Sequence, residues 1–170
     1  MATRNILLDG DNSLLKKSRA VTNFNKRLHV LLDDMRETLI QADGLGLSAP
    51  QVGVLRRVVL VLDTTIEEDN EDNIIELVNP EILNSSGEQT GQEGCLSIPN
   101  VYGLVTRPLE LRVRAQDRYG VFFEKDCADL TARAVCHEID HLEGRLFKDI
   151  ADKILTPEEL EELAKEKETQ

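Results

Sequence analysis

The chain has 170 residues, 41% hydrophobic and 31% charged, the size and balance of one soluble domain able to bury a core. Its 32 acidic and 20 basic side chains give a formal charge of −12, which argues against nucleic acid or an anionic membrane as the main partner, because phosphate binding needs clustered Lys and Arg. The opening MATRNILLDGDNSLLKKS has no apolar run of signal-peptide length and no 18-residue apolar stretch follows, so a cytoplasmic location is expected.

Residues 24–42 place Leu28, Leu31, Leu32, Met35, Leu39 and Ile40 at helical spacing, which predicts an amphipathic helix with His29 on its wet side. GLGLSAPQVG (44–53) is too rich in Gly and Pro for a regular element. The aliphatic run of RRVVLVLD (56–63) reads as a strand buried on both faces, EEDNEDN (67–73) as a solvated loop, and IIELVNPEIL (74–83) as a second strand. LELRVRAQD (109–117) alternates apolar with charged residues and should be a strand with one wet face, paired with VFFEKD (121–126) across Arg118-Tyr119-Gly120. Helical spacing returns over 128–143, where Leu130, Ala134, His137 and His141 share a face and Gly144 supplies the stop. Thr156, Pro157 and Glu159 form a capping-box start for a last, acidic helix.

The chemistry centres on VCHEIDHLEG (135–144). On a helix His137 and His141 lie about 40° apart around the axis, so two imidazoles face one point, with Glu138 beside them as a base for a water. A catalytic centre of this kind usually takes a third protein ligand. A third histidine six residues after the second would fall at position 147, which is Phe, so that solution fails. The tail carboxylates Glu158, Glu159, Glu161 and Glu162 stay open as ligands of a His-His-Glu site. The three cysteines are odd in number and include no CxxC pair, so a disulfide framework is not expected. Cys136 is rotated about 100° from its neighbour His137 and aims into packing, and Cys127, between Asp126 and Asp129, reads as structural or surface. Cys95, in GQEGCLSIPN, is either the third ligand or a free buried thiol, and the local composition does not choose.

Three segments, GLGLSAPQVG (44–53), EGCLSIP (93–99) and HEIDHLEGRLFKD (137–149), resemble the signature segments of the peptide deformylases, in the family's order, within a likeness running from about Asn5 to Asp149. The resemblance implies an α+β fold: mixed or antiparallel β-sheets packed around a central helix carrying HExxH, with an N-terminal and a C-terminal helix, in one domain over residues 1–170. It implies that Cys95, His137 and His141 bind one divalent metal, Fe²⁺ in the cell, with Zn²⁺, Ni²⁺ or Co²⁺ accepted by the same donors. Glu138 would act as base and then acid on a water at that metal. Gln51, through its amide, and Leu96, through its N–H, would stabilise the oxyanion.

Gly44, Leu45, Gly46, Gly94, Leu130 and Ala134 would bind the substrate, Gly46 by backbone hydrogen bonds and the apolar residues by forming a methionine pocket. Arg107 and Asp140 are candidates for orienting the site or for simple surface pairing. The implied substrate is the N-formylmethionyl end of a new polypeptide, cleaved to formate and a free amine. Ser48 stands where the family commonly has alanine, Tyr102 where some members have arginine, and the N-terminal segment lacks a common proline dipeptide. The acidic tail EELEELAKEKE implies work on emerging chains in transient proximity to the ribosome, without docking by a basic C-terminal helix and without direct nucleic-acid or membrane partners. Rival readings are another HExxH metallopeptidase and a non-catalytic metal-binding module.

Overall fold

A computed structural model describes residues 1–66 and 73–168. After a 3₁₀ turn at Asn12–Leu15, helix α1 spans Lys26–Ala42, capped by the Asn25 side chain, which accepts from the Leu28 N–H at 3.2 Å, and ended by Asp43 in the left-handed region. Strands β1 (Gly46–Ser48), β2 (Val58–Leu62), β3 (Ile74–Ser86), β4 (Gln89–Cys95), β5 (Ile98–Arg107), β6 (Glu110–Gln116) and β7 (Phe122–Ala128) follow. Helix α2 (Asp129–Leu142), the short α3 (Phe147–Ile150), β8 (Lys153–Ile154) and α4 (Pro157–Glu168) complete the chain. Every strand pair is antiparallel, in a five-stranded sheet ordered β1-β2-β3-β6-β7 and a three-stranded sheet ordered β4-β5-β8.

The continuous aliphatic run of β2 has a direct physical reason. Val58 and Leu60 pack with Leu28, Leu31, Leu32, Met35 and Leu39 of α1 on one face of the larger sheet. Val59 and Val61 pack with Ala132, Val135 and Leu142 of α2 on the other. Side chains alternate across a strand, so burying both faces requires apolar residues throughout. On its far side α2 approaches β5, and a third cluster of Leu14, Ile98, Val105, Leu146 and Phe147 closes the smaller sheet. The HExxH helix is therefore held between two sheets, which is the expected α+β arrangement. No helix among the described residues is long and apolar enough to cross a membrane.

Four readings need correction or completion. The 44–53 segment does contain regular structure: Gly46–Ser48 pairs with β2, and Ala49–Val52 forms a 3₁₀ turn, because the neighbouring strand supplies hydrogen-bond partners that local composition cannot reveal. The β4–β5 hairpin went unread, since QTGQEGC has neither apolar alternation nor β-branched enrichment and is stabilised by pairing with β5. His29 is half-buried, its Nε2 lying 2.7 Å from the Arg118 carbonyl and its ring edge-on to Tyr119. Apart from Asn73, the loop expected over 67–73 lies outside the described residues. At the C-terminus the capping box forms as read: Thr156 N–H donates to Glu159 Oε1 at 3.3 Å and Glu159 N–H to Thr156 Oγ1 at 3.2 Å.

Candidate metal centre and active-site cleft

Each part of the site comes from a different element. Helix α2 presents His137, Glu138 and His141 toward the seam between the sheets, while Gly144, with φ of 74°, lets the chain turn away against the Leu15 carbonyl. The end of β4 delivers Cys95 through a register shift between Glu93 and Cys95. Gly94 is required at that bend, because an added Cβ would lie 2.7 Å from the Tyr102 ring. The 3₁₀ turn after β1 brings Gln51 in from the opposite wall.

The Cys95 Sγ lies 3.3 Å from His141 Nε2, and His141 Nε2 lies 3.3 Å from His137 Nε2. A tetrahedral cation with ordinary metal–nitrogen and metal–sulfur bonds separates its donors by about 3.4–3.6 Å. The three residues, with all their donor atoms within 4.8 Å of one another, therefore have both the chemistry and the spacing for one divalent ion. Burial alone would lower His137, but the Cys95 sulfur and the Glu93 carboxylate outweigh it and raise the ring to about 10. Burial and the charge on His137 push His141 down to about 3. A metal ligand must be a neutral imidazole, so a cation bound here would take the place of the second proton on His137. The tail carboxylates are not gathered here: Glu159 caps α4 and pairs with Lys153, away from the histidines.

Glu138 is 2% exposed, and burial raises its carboxyl to about 7. Its Oε1 has no hydrogen-bond partner and lies 3.9 Å from His141 Nε2; the inner nitrogen of His141, Nδ1, is also unpartnered. Gly46 makes room for this side chain, since a Cβ there would stand 2.8 Å from Glu138 Cγ. Gln51 is buried with its amide fixed at both ends. Its Oε1 accepts from the Ser48 N–H at 2.9 Å and the Ser48 hydroxyl at 3.0 Å, which turns Nε2 toward Ser97 Oγ at 3.1 Å and Cys95 Sγ at 3.5 Å. The serine that departs from the family's alanine thus adds a second donor to the orienting bond.

Sequence reasoning missed Glu93. This buried carboxylate accepts from His137 Nδ1 at 2.8 Å, Arg107 Nη2 at 2.6 Å and Arg133 Nη1 at 3.0 Å. Burial opposes its charge, yet the bonds from His137 and Arg107 hold it down at about 2. Arg107 also reaches Asp140 at 2.6 Å, so these two, weighed between orienting and surface pairing, belong to a buried ionic lattice behind His137. Nothing in the local sequence signals this. A carboxylate two positions before a candidate ligand cysteine was the only available hint. The Cys136 and Cys127 thiols are buried, and burial raises both.

A cleft of about 270 Å³ opens over Cys95, His137 and Glu138. Gly44, Leu45, Gly46, Gln51, Gly94, Leu96, Leu130 and Ala134 all line it, together with Tyr102 and Arg133. Leu45 and Leu130 remain exposed at 42% and 41%, whereas Ala134 is buried.

The polypeptide deformylase model matches residues 3–156. The chain belongs to the polypeptide deformylase family. It is 49% identical over 162 residues to the peptide deformylase of Caldicellulosiruptor bescii, covering 95% of this chain and 93% of that one. It is 50% identical over 161 residues to that of Caldanaerobacter subterraneus, with 95% and 97% covered. Its fold matches the crystal structure of a peptide deformylase from Legionella pneumophila with a TM-score of 0.81 at 36% identity over 99% of each chain. As a deformylase-family member it is a hydrolase that removes the formyl group from the N-terminus of new polypeptides, and the family is metal-dependent.

Proposed function

We propose that Cys95, His137 and His141 hold one divalent cation, Fe²⁺ in the cell, and that Glu138, Gln51 and Leu96 carry out deformylation around it. Zn²⁺, Ni²⁺ and Co²⁺ suit the same donor set. A cation held there supplies Lewis acidity, lowering the pKa of a water and polarising the formyl oxygen. Glu138 takes a proton from the attacking water and later delivers it to the departing amine, so that water and the formamide yield formate and a free N-terminus. The Gln51 amide and the Leu96 N–H donate to the oxygen that gains negative charge. The peptide lies along Gly44, Gly46 and Gly94, with the methionine side chain against Leu45, Leu130 and Ala134.

The observation that carries this reading is the unpartnered Glu138 oxygen buried beside three converging ligand atoms. A buried carboxyl held near 7 and lacking a hydrogen bond is costly to keep, which fits a group whose partner is the reacting water. α4, with six Glu against two Lys and no buried residue, offers no cationic surface for docking. The test is formate release from formyl-Met-Ala-Ser by protein purified without oxygen. Chelation should abolish it, and adding back Fe²⁺, Ni²⁺ or Co²⁺ should restore it. Undiminished turnover after complete metal removal would refute the reading.

A further inference from the structure

A second hollow, of about 850 Å³, shares no lining residue with the cleft over Glu138. Arg4, Arg19, Arg27 and Arg56 line it, with Thr22 and Asn23 beside them. Such a gathering is unexpected in a chain of charge −12. Three of the four arginines come from two acid-free stretches. Residues 12–32 contain Lys16, Lys17, Arg19, Lys26 and Arg27, and residues 44–62 contain Arg56 and Arg57, with no carboxylate in either. The fold joins them through a parallel bridge between Arg19 and Arg56, in which Arg19 N–H donates to Leu55 O at 3.2 Å and Arg57 N–H to Arg19 O at 2.9 Å. Asn79 pins the same strap by bonds to both backbone groups of Val21 at 2.8 and 2.9 Å.

Charge placement here runs against local stability. Helices favour acids in the first turn; α2 has Asp129 there and α4 has Glu158 and Glu159, whereas α1 begins with Lys26 and Arg27 and no acid. Arg4 is paired with Asp34 at 3.1 Å, but among the described residues Arg19, Arg27 and Arg56 line the groove without a carboxylate partner. Fixed backbone, unpaired exposed guanidiniums and a cation-first helix together call for an external anion.

We infer that this groove binds the phosphate backbone of single-stranded RNA. The cations come from four separate segments and are spread along an open wall, which suits a polyanion better than one small phosphate, for which a buried donor would be expected. No lining residue is among the exposed large hydrophobics, so the groove has nothing to insert into a bilayer. Thr22 and Asn23 offer a hydroxyl and an amide to the ribose 2′-hydroxyl. The whole-chain charge does not oppose this, because salt screens charges beyond about 8–10 Å and the nearest charges decide the local field. The inference goes beyond the deformylation reading and stands without it.

The test uses metal-loaded full-length protein and a labelled single-stranded RNA of about 20 nucleotides, followed by fluorescence anisotropy from about 50 mM salt upward. Three phosphate contacts predict a log–log salt slope of about −2. The Arg19→Glu, Arg56→Glu double variant should bind at least tenfold more weakly while releasing formate at the parent rate. Arg27→Glu separates binding from folding: it should weaken RNA binding while raising the melting temperature, since it puts an acid in the first turn of α1. Absence of saturable binding at low salt would overturn the proposal. So would equal affinity for the matching DNA, equal binding to phosphatidylglycerol vesicles, or affinity unchanged in the double variant. Formate release by the parent is scored separately, so a failure of the deformylation reading would show there alone.

Discussion

The arginine groove and the cleft over Glu138 are built on opposite plans. The polar groups of the small cleft are buried: Glu138, Gln51 and Glu93 in its lining and His141 beside them are each 6% exposed or less. The large groove is walled by exposed arginines on a backbone held by main-chain bonds. Chemistry needs desolvated groups whose positions and basicities are fixed in advance, whereas binding a polyanion needs only charge density and reach. The contrast predicts that substitutions at the cleft affect metal binding or turnover, and that those at the groove leave both unchanged.

The largest effect should come from Cys95→Ala. Loss of the thiolate should remove the metal and reduce formate release by more than about a thousandfold, read by metal analysis and product assay. A rival metallopeptidase with a carboxylate ligand from the tail would keep its metal in the same experiment. Next is Glu93→Ala, which leaves the Arg107 and Arg133 guanidiniums buried without their shared carboxylate. Denaturant unfolding should show a loss of about 3–5 kcal/mol, and metal affinity should fall about 10–100-fold as His137 loses its orienting partner.

On the groove side, Asp34 accepts from the Ala2 N–H and from Arg4. The Ala2 bond, followed by Arg4, holds its pKa below the ordinary 3.8 against the opposing effect of burial. The folded pKa is depressed, so the contribution is present above about pH 4 and disappears as pH falls through the folded value. Asp34→Asn should therefore reduce stability at pH 7, and the difference from the parent should shrink as the pH falls through the folded value, measured as the pH dependence of unfolding. The smallest effect is expected for Ser48→Ala. It removes one of two donors on Gln51 Oε1 and leaves the backbone donor in place, so turnover should fall less than tenfold and metal content should not change.

What could be read in advance follows from the same contrast. The helical spacing of His137 and His141 and the double-sided burial of β2 are periodic signals, and periodicity survives in a one-dimensional string. Cys95 could not be chosen over a free thiol from its own surroundings, because its place beside His141 depends on a bend in β4 whose partner strand is β5. Glu93 was invisible because its three partners come from β5 and α2, 14 to 44 residues away. The arginine groove was masked in another way: the net charge averages over all faces, and the two acid-free stretches meet through the bridge between Arg19 and Arg56 and the packing of α1 on β2.

The central claim is that Glu138 acts on a centre held by Cys95, His137 and His141 without being one of its ligands. It is tested most directly by Glu138→Gln, measured for metal content and formate release on the same preparation. The account predicts one bound cation per chain, as in the parent, with activity reduced by about a thousandfold or more. Metal lost along with activity, or activity retained with the glutamine in place, would contradict it.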